Sequence, residues 1–309
     1  MTEDRGRDSP ADLADPADLA GRVAVVTGAG AGLGRAEALA LAAAGANVVV
    51  NDIRPDAGGV VDEIVELGAK AVLVVGDIGE SSVAAELVRT AVDTFGRLDV
   101  VVNNAGLLRD RMLFSLSDED WDLVVRVHLR GHFLLTRNAA AHWRDTAKAG
   151  GPRYGRLINT ASEAWLLGSP GQANYAAAKA GIAALTVSAA RSLHRYGVRA
   201  NVICPRARTD MTAEVFGPAP DGADDPLSVD HVAPFVAFLA GPSADAINGQ
   251  VFIVHGGTVA LLAAPTVAQR FTGPRSGWTT SSLTSSVGAH FADHHLDDVF
   301  ACTEALSLP

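Results

Sequence analysis

The stretch Thr27-Gly28-Ala29-Gly30-Ala31-Gly32-Leu33-Gly34 sets four glycines between an apolar run, Val23-Ala24-Val25-Val26, and an alanine-rich, helix-favouring run. Glycines at a strand-to-helix turn let the chain bend tightly. They also let backbone N–H groups approach an anion, to which the following helix offers the positive end of its dipole. A glycine trio by itself is a weak sign and fits any tight βα turn. A strand before it, a helix after it and an acid at the next strand end point to a bound pyrophosphate.

The rest of the chain repeats that rhythm. Val23–Thr27 reads as a strand buried on both faces, and 33–44 as a helix stopped by Gly45. Strands follow at Asn47–Asp52, Ala71–Val75, 98–102, 157–159, 198–203 and 250–254. Helices are expected at 60–67, 82–95, 175–196 and 232–240. Ser117-Asp118-Glu119-Asp120 opens a further helix running to about Arg144, with a capping Ser and an acidic first turn. Strands and helices alternating this often predict a parallel seven-stranded sheet with helices on both faces. Residues 1–20 read as a disordered acidic leader, 21–260 as the folded domain and 261–309 as an extension with little periodicity. Within the domain, 217–225 reads as a mobile loop.

Composition narrows the partners. The chain has 309 residues, 48% of them hydrophobic, enough for one large core. A net charge of −10 with no Lys/Arg stripe argues against nucleic acid and against anionic membrane surfaces. No apolar run is long enough to span a membrane, and the first residues lack the pattern of a signal peptide. Two cysteines, Cys204 and Cys302, form no framework, so a reducing cytoplasm is the expected setting. Asp293-His294-His295 lacks the further ligands of a closed metal site, and none is expected.

Asp52 ends the second strand. A carboxylate there accepts the two ribose hydroxyls of an adenosine and repels a 2′-phosphate, favouring NAD over NADP, although Arg54 is placed to reach such a phosphate. Tyr175 and Lys179, four apart in Asn174-Tyr175-Ala176-Ala177-Ala178-Lys179, share one helical face. An ammonium near a phenol lowers its pKa and makes it a usable acid/base. Ser162, just past the fifth strand, can hold a reacting oxygen beside Tyr175.

Taken together, TGAGAGLG, Asp52, Gly76-Asp77-Ile78, Asn103-Asn104-Ala105-Gly106, Ser162 and the Tyr175/Lys179 pair resemble the short-chain dehydrogenase/reductase family from about Gly21 to Thr258. The resemblance implies a Rossmann-like, doubly wound α/β domain, a nicotinamide cofactor and alcohol/ketone interconversion through Tyr175. It implies that Gly28, Gly30, Gly32, Leu33 and Gly34 cradle the cofactor, and that Asp77 and Ile78 flank adenine. Asn104, Ala105, Gly106 and Pro205 should line it, Lys179 should bind the nicotinamide ribose, and Thr209 should reach the nicotinamide. Homodimers or homotetramers are the usual assemblies. Leu107-Leu108-Arg109-Asp110-Arg111, the stretch from Ser117 to Phe133 and Gly171-Gln172-Ala173-Asn174-Tyr175 resemble a narrower branch. It holds the (3R)-hydroxyacyl-CoA dehydrogenase part of peroxisomal multifunctional beta-oxidation enzymes and bacterial single-domain relatives. The implied substrate is an acyl-CoA, with a steroid or a 3-oxoacyl carrier as alternatives.

Two departures stand out. His128 occupies the place of the family's helix-borne asparagine, and Arg206 follows Pro205 where a glycine is usual. His128 is open to two readings, a proton relay or a satisfied buried histidine, with Trp121, Val124 and Val125 on the same helical face. Arg206 is open to an anionic substrate group or an ion pair. The intact Ser162, Tyr175 and Lys179 argue against a drifted, purely regulatory NAD-binding protein. Arg109 and Arg111 stand where CoA phosphates could be met, or as plain exposed loop arginines.

Overall fold

The computed structural model describes residues 18–220 and 225–308; most of the expected leader and part of the expected 217–225 loop lie outside them. Leu19 is fully buried and donates its backbone N–H to the Ala44 carbonyl.

The strands are β1 (Val23–Thr27), β2 (Asn47–Asp52), β3 (Ala71–Val75), β4 (Val100–Asn103), β5 (Gly155–Thr160), β6 (Val198–Pro205), β7 (Val251–His255) and β8 (Thr258–Leu261). Among the described residues they form one sheet in the order β3-β2-β1-β4-β5-β6-β7-β8. The first seven are parallel and β8 turns back antiparallel on β7. The sheet therefore has eight strands, not seven. The added hairpin turns on Gly256-Gly257, with Gly256 at φ +48°, and a Gly-Gly pair between apolar runs is a hairpin signal present in the sequence.

Helices α1 (Gly32–Ala43), α2 (Gly58–Glu66) and α3 (Ser81–Phe95) follow the first three strands. After β4 come α4 (Asp118–Val125) and α5 (Gly131–Lys148), then α6 (Ala164–Leu167), α7 (Ala173–Leu193), α8 (Ala213–Phe216) and α9 (Ala233–Ala240). The expected single helix from 118 is interrupted by a π-type turn, Arg126–Arg130, which places His128 inside the protein and leaves Trp121 well exposed. Wide turns of this kind re-aim side chains, often at functional sites. The Ser117 cap is present, its hydroxyl accepting the Asp120 N–H at 3.1 Å.

Strand alternation splits the core in two. Ala24, Val26, Val48, Val50, Val100 and Val102 face α1, α2 and α9, meeting Leu41, Ile64 and Val236. Val23, Val25, Val49 and Val101 face the other way, onto Leu87, Leu134, Leu135 and Trp143 of α3 and α5. Both faces are covered, which is why these strands are apolar throughout.

One polar residue sits in the first layer. Glu37 is fully buried on α1 between Leu33 and Leu41, and among the described residues neither carboxylate oxygen has a hydrogen-bond partner. Burial pushes its pKa up to about 8. The folded state keeps the proton while the unfolded chain releases it near pH 4.5. Stability from this group is thus present below pH 4.5 and is lost as pH rises through about 8. Glu37→Leu is expected to raise the melting temperature at pH 8 by about 2–8 °C, a few kcal/mol at most, and by less at pH 5. Thermal denaturation at the two pH values checks this; equal shifts would contradict it.

Candidate active site

The carboxyl ends of β1 to β6 open into a cavity of about 670 Å³, the crevice where a doubly wound sheet binds its ligand. Its walls come from widely separated parts of the chain. Gly28, Leu33 and Gly34 supply the first turn, Asp52 the end of β2, Asp77 and Ile78 the end of β3, and Asn104, Ala105 and Gly106 the end of β4. His128, Ser162, Tyr175, Lys179, Pro205 and Thr209 complete it. Of the expected site residues, Gly30 and Gly32 are not on the wall.

The glycines are needed for close approach as well as for turning. A Cβ on Gly34 would lie 2.3 Å from the Gly28 carbonyl oxygen and 2.5 Å from Asn104 Nδ2, and one on Gly28 would lie 2.8 Å from Ala105 Cα. Gly28 and Gly32 have φ of +63° and +54°. Gly30 donates its N–H to Asp52 Oδ2 at 2.9 Å, so the turn and the acid fix each other. Asp52, 8% exposed, also accepts the Arg54 N–H at 3.0 Å and Arg54 Nε at 3.3 Å through Oδ1. Arg54 thus lies on the carboxylate. A carboxylate has about four acceptor sites, and with three in use here one remains for a ribose hydroxyl. Asp77 is held by Arg126 Nη2 at 2.7 Å and by the Gly79 N–H at 2.7 Å. Thr27 Oγ1 accepts the N–H groups of Asn104 and Ala105, and Asn104 Nδ2 donates to the Thr27 carbonyl at 3.1 Å.

Farther in, Ser162, Tyr175 and Lys179 share one wall. Tyr175 is half-buried there, and the protein crowding its phenol pushes its pKa up to about 12, with the Ser162 hydroxyl pulling the other way by hydrogen bonding. Lys179 is buried, donates Nζ to the Thr160 carbonyl at 2.6 Å and lies 5.3 Å from the Tyr175 ring centroid. Burial brings its ammonium down to about 7. The expected lowering of the tyrosine by lysine is therefore not what the chain produces alone, because desolvation dominates both groups.

His128 meets Tyr175 edge to face, ring centroids 5.2 Å apart. Its Nε2 faces the backbone of Leu107, 3.0 Å from N and 2.8 Å from O. Among the described residues its buried Nδ1 has no partner. Burial first, and Lys179 second, hold its pKa well below the ordinary imidazole value, so it is neutral. Gly106 exists for this ring: a Cβ there would lie 2.2 Å from His128 Cε1. Arg206 forms an ion pair, Nε to Glu163 Oε2 at 2.6 Å, and both side chains line the cavity.

Some supporting residues escaped the sequence. Asn174 Oδ1 accepts the Tyr175 N–H at 2.8 Å while its Nδ2 donates to the Arg109 carbonyl at 3.1 Å, tying the start of α7 to the β4–α4 loop. Buried His132, one helical turn past His128, is brought down to about 3 by burial. The spacing of the two histidines in Val127-His128-Leu129-Arg130-Gly131-His132 was the only signal for it.

The family model described as short chain dehydrogenase matches residues 22–218. The chain belongs to the short-chain dehydrogenase family. This dehydrogenase is 59% identical over 300 residues to hydroxyacyl-CoA dehydrogenase ChsB1 of Mycobacterium tuberculosis, covering 94% of each chain. It is 42% identical to mouse peroxisomal multifunctional enzyme type 2, over 81% of this chain but only 34% of that protein. It is 41% identical to the 3-oxoacyl-[acyl-carrier-protein] reductase of Synechocystis, over 78% of this chain and 98% of the reductase. A crystal structure of a short chain dehydrogenase from Mycobacterium avium superposes with a TM-score of 0.79 at 44% identity, covering 89% of this chain and 96% of that one. The dehydrogenase is thus an oxidoreductase that uses a nicotinamide cofactor, and the crevice lined by Gly28, Leu33, Gly34, Asp52 and Asn104, with the Asp52 carboxylate on its wall, fits such a dinucleotide. Among the described residues no helix is long and apolar enough to cross a membrane, and no three His, Cys, Asp or Glu side chains gather to hold a metal.

Gly106→Ala is expected to cost about 1–3 kcal/mol by overpacking against the imidazole. Adding His128→Ala should return most of that loss. Melting temperatures of the two single variants and the double variant decide; additive losses would show that the two residues do not press on each other.

Proposed function

We propose that this chain is an NAD-dependent dehydrogenase that oxidises the 3-hydroxyl of an acyl-CoA to a ketone. The observation that carries the reading is a single cavity with Ser162, Tyr175 and Lys179 on one wall and the glycine turn with Asp52 at its other end. The resemblance to the mycobacterial hydroxyacyl-CoA dehydrogenase supports the substrate class. Exposed Arg109 and Arg111 leave cationic groups for CoA phosphates, with Arg109 Nε only loosely paired to Asp120 at 3.6 Å.

In this reading Ser162 hydrogen-bonds the substrate oxygen and holds it at Tyr175, whose phenolate takes the hydroxyl proton. NAD, held by the glycine turn and Asp52, would supply the hydride acceptor when bound, and a cation beside Tyr175 would favour the phenolate that burial alone disfavours. Lys179 holds the ribose and adds its charge beside the phenol. His128, neutral and with an unpartnered Nδ1 next to Tyr175, is placed to pass a proton. Asp52 selects NAD by accepting a ribose hydroxyl and repelling a 2′-phosphate. Cys204 and Cys302 are unpaired thiols, in keeping with a reducing cytoplasm, and we place the enzyme there as a homodimer or homotetramer.

A second reading has one observation behind it. Arg54 stands beside the ribose position, and a turn toward a 2′-phosphate would admit NADP and reduction of a 3-oxoacyl thioester, the reaction in the name of the Synechocystis relative. Initial rates at the reduced-nicotinamide absorbance band, with both cofactors and a panel of 3-hydroxyacyl-CoAs, carrier-linked thioesters and hydroxysteroids, separate the readings. NADH formation fastest with a (3R)-hydroxyacyl-CoA supports the first. NAD binding without turnover of any panel member would overturn both.

Tyr175→Phe is expected to lower kcat by about 10²–10⁴-fold, the usual share of a positioned acid/base. Oxidation needs the phenolate, so its rate should rise with pH and the reverse reaction should fall. Lys179→Met should move the rising limb to higher pH, because the cation that favours phenolate is gone. Asp52→Ala should weaken NAD by about 10–100-fold, the worth of charge-assisted hydrogen bonds, and narrow its advantage over NADP. Unaltered turnover in Tyr175→Phe would remove the mechanism.

A further inference from the structure

Arg206 at the end of β6 gathers three parts of the chain at one guanidinium. Its Nε and Nη2 donate to the two carboxylate oxygens of Glu163 at 2.6 and 2.8 Å. Its Nη1 donates to His255 Nε2 at 3.2 Å and to the Leu308 carbonyl at 3.3 Å, and its Nη2 reaches the Ala305 carbonyl as well. Both ion-pair partners are largely shielded, with 17% and 14% of their side chains exposed. This planar fork satisfies carboxylate and carbonyls at once, which an ammonium cannot reproduce.

Glu163 directly follows Ser162. Its backbone carbonyl accepts the N–H groups of Leu166 and Leu167, which form α6. The Ser162 hydroxyl accepts the Ala164 N–H at 3.2 Å. A four-residue helix is too short to hold its own shape, so the turn carrying Ser162 depends on contacts at its ends. The C-terminal segment supplies them. Cys302 donates its N–H to the Leu166 carbonyl at 2.9 Å, and Ala305, 2% exposed, packs with Ala161, Ala183, Cys204 and Ile253.

We propose that Arg206 is a positioning residue which, with Glu163, latches residues 302–308 onto the β5–α6 turn and so sets the Ser162 hydroxyl against Tyr175. The extension beyond β8 is thereby part of the active-site framework. The kinetic consequence rests on the dehydrogenase reading above; the structural consequence does not.

The test compares the full chain with Arg206→Ala, Arg206→Lys and a chain ended after Ala301. Amide hydrogen exchange of residues 164–168 should quicken by about tenfold or more in Arg206→Ala and in the shortened chain. With the 3-hydroxyacyl-CoA that the full chain turns over fastest, kcat should fall by about 10–100-fold, as expected of a misplaced catalytic group. The Kd for NAD should stay within about twofold, since the glycine turn is untouched. The rising limb of kcat should move to higher pH as the Ser162 hydroxyl, which favours the phenolate, is displaced from the phenol. Arg206→Lys should keep the charge yet recover little, and combining Arg206→Ala with the shortened chain should cost no more than Arg206→Ala alone. Unchanged exchange at 164–168 in the shortened chain would overturn the latch, as would a kcat loss that always tracks NAD affinity and melting temperature. A full chain inactive on every panel member would sink the dehydrogenase reading, while exchange would still decide the latch.

Discussion

The structure depends on how closely the first turn approaches the end of β4. Gly34 lies against the Gly28 carbonyl and the Asn104 amide with no room for a Cβ between them, and Gly28 meets Ala105 in the same way. Thr27 and Asn104 bind the two strand ends together through side chain and backbone. That contact aims α1 and its N-terminal amides into the crevice. The second turn follows from the first, because the Gly30 N–H is held by Asp52, and Asp52 in turn fixes Arg54. One steric constraint therefore positions the anion cradle, the acid that closes it and the side chain beside that acid.

Desolvation rules the other end of the cavity. Burial raises the phenol of Tyr175 to about 12 and lowers the ammonium of Lys179 to about 7, while His128 is kept neutral beside them. The chain alone thus holds these three groups near electrical neutrality. Charge brought in with a ligand then acts in a dry surrounding, where it counts for more than in water. The same burial on α1 keeps a proton on Glu37, which is not on the cavity wall, so a perturbed acid is not by itself a sign of function.

Much of this was legible in the sequence. Strands buried on both faces read as unbroken apolar runs, and glycines after helices marked the stops, with Gly96 and Gly197 at positive φ as expected of such caps. The π-type turn was not legible, because nothing in Arg126–Arg130 sets it apart from the helices on either side. The eighth strand was signalled by Gly256-Gly257 but is too short to announce itself by alternation. Asn174 and Glu163 gave no warning, and His132 only its spacing from His128, since each works through a partner far away in sequence or hidden by burial.

By itself the sequence determined the doubly wound architecture, the glycine turn and the short list of residues on the cavity wall. The architecture and the turn follow from local periodicity and from conformations only glycine tolerates, and Tyr175 and Lys179 from their spacing on one helix face, while Asp77, Ile78, Asn104, Ala105, Gly106, Pro205 and Thr209 followed only from the family resemblance. Only the tertiary structure decided what each group is surrounded by. Whether Arg206 meets a ligand or Glu163, whether Tyr175 is charged, and whether residues 302–308 reach back to Ser162 depend on contacts between segments up to a hundred residues apart. Burial and long-range pairing set those answers, and neither is written in any single stretch of the chain.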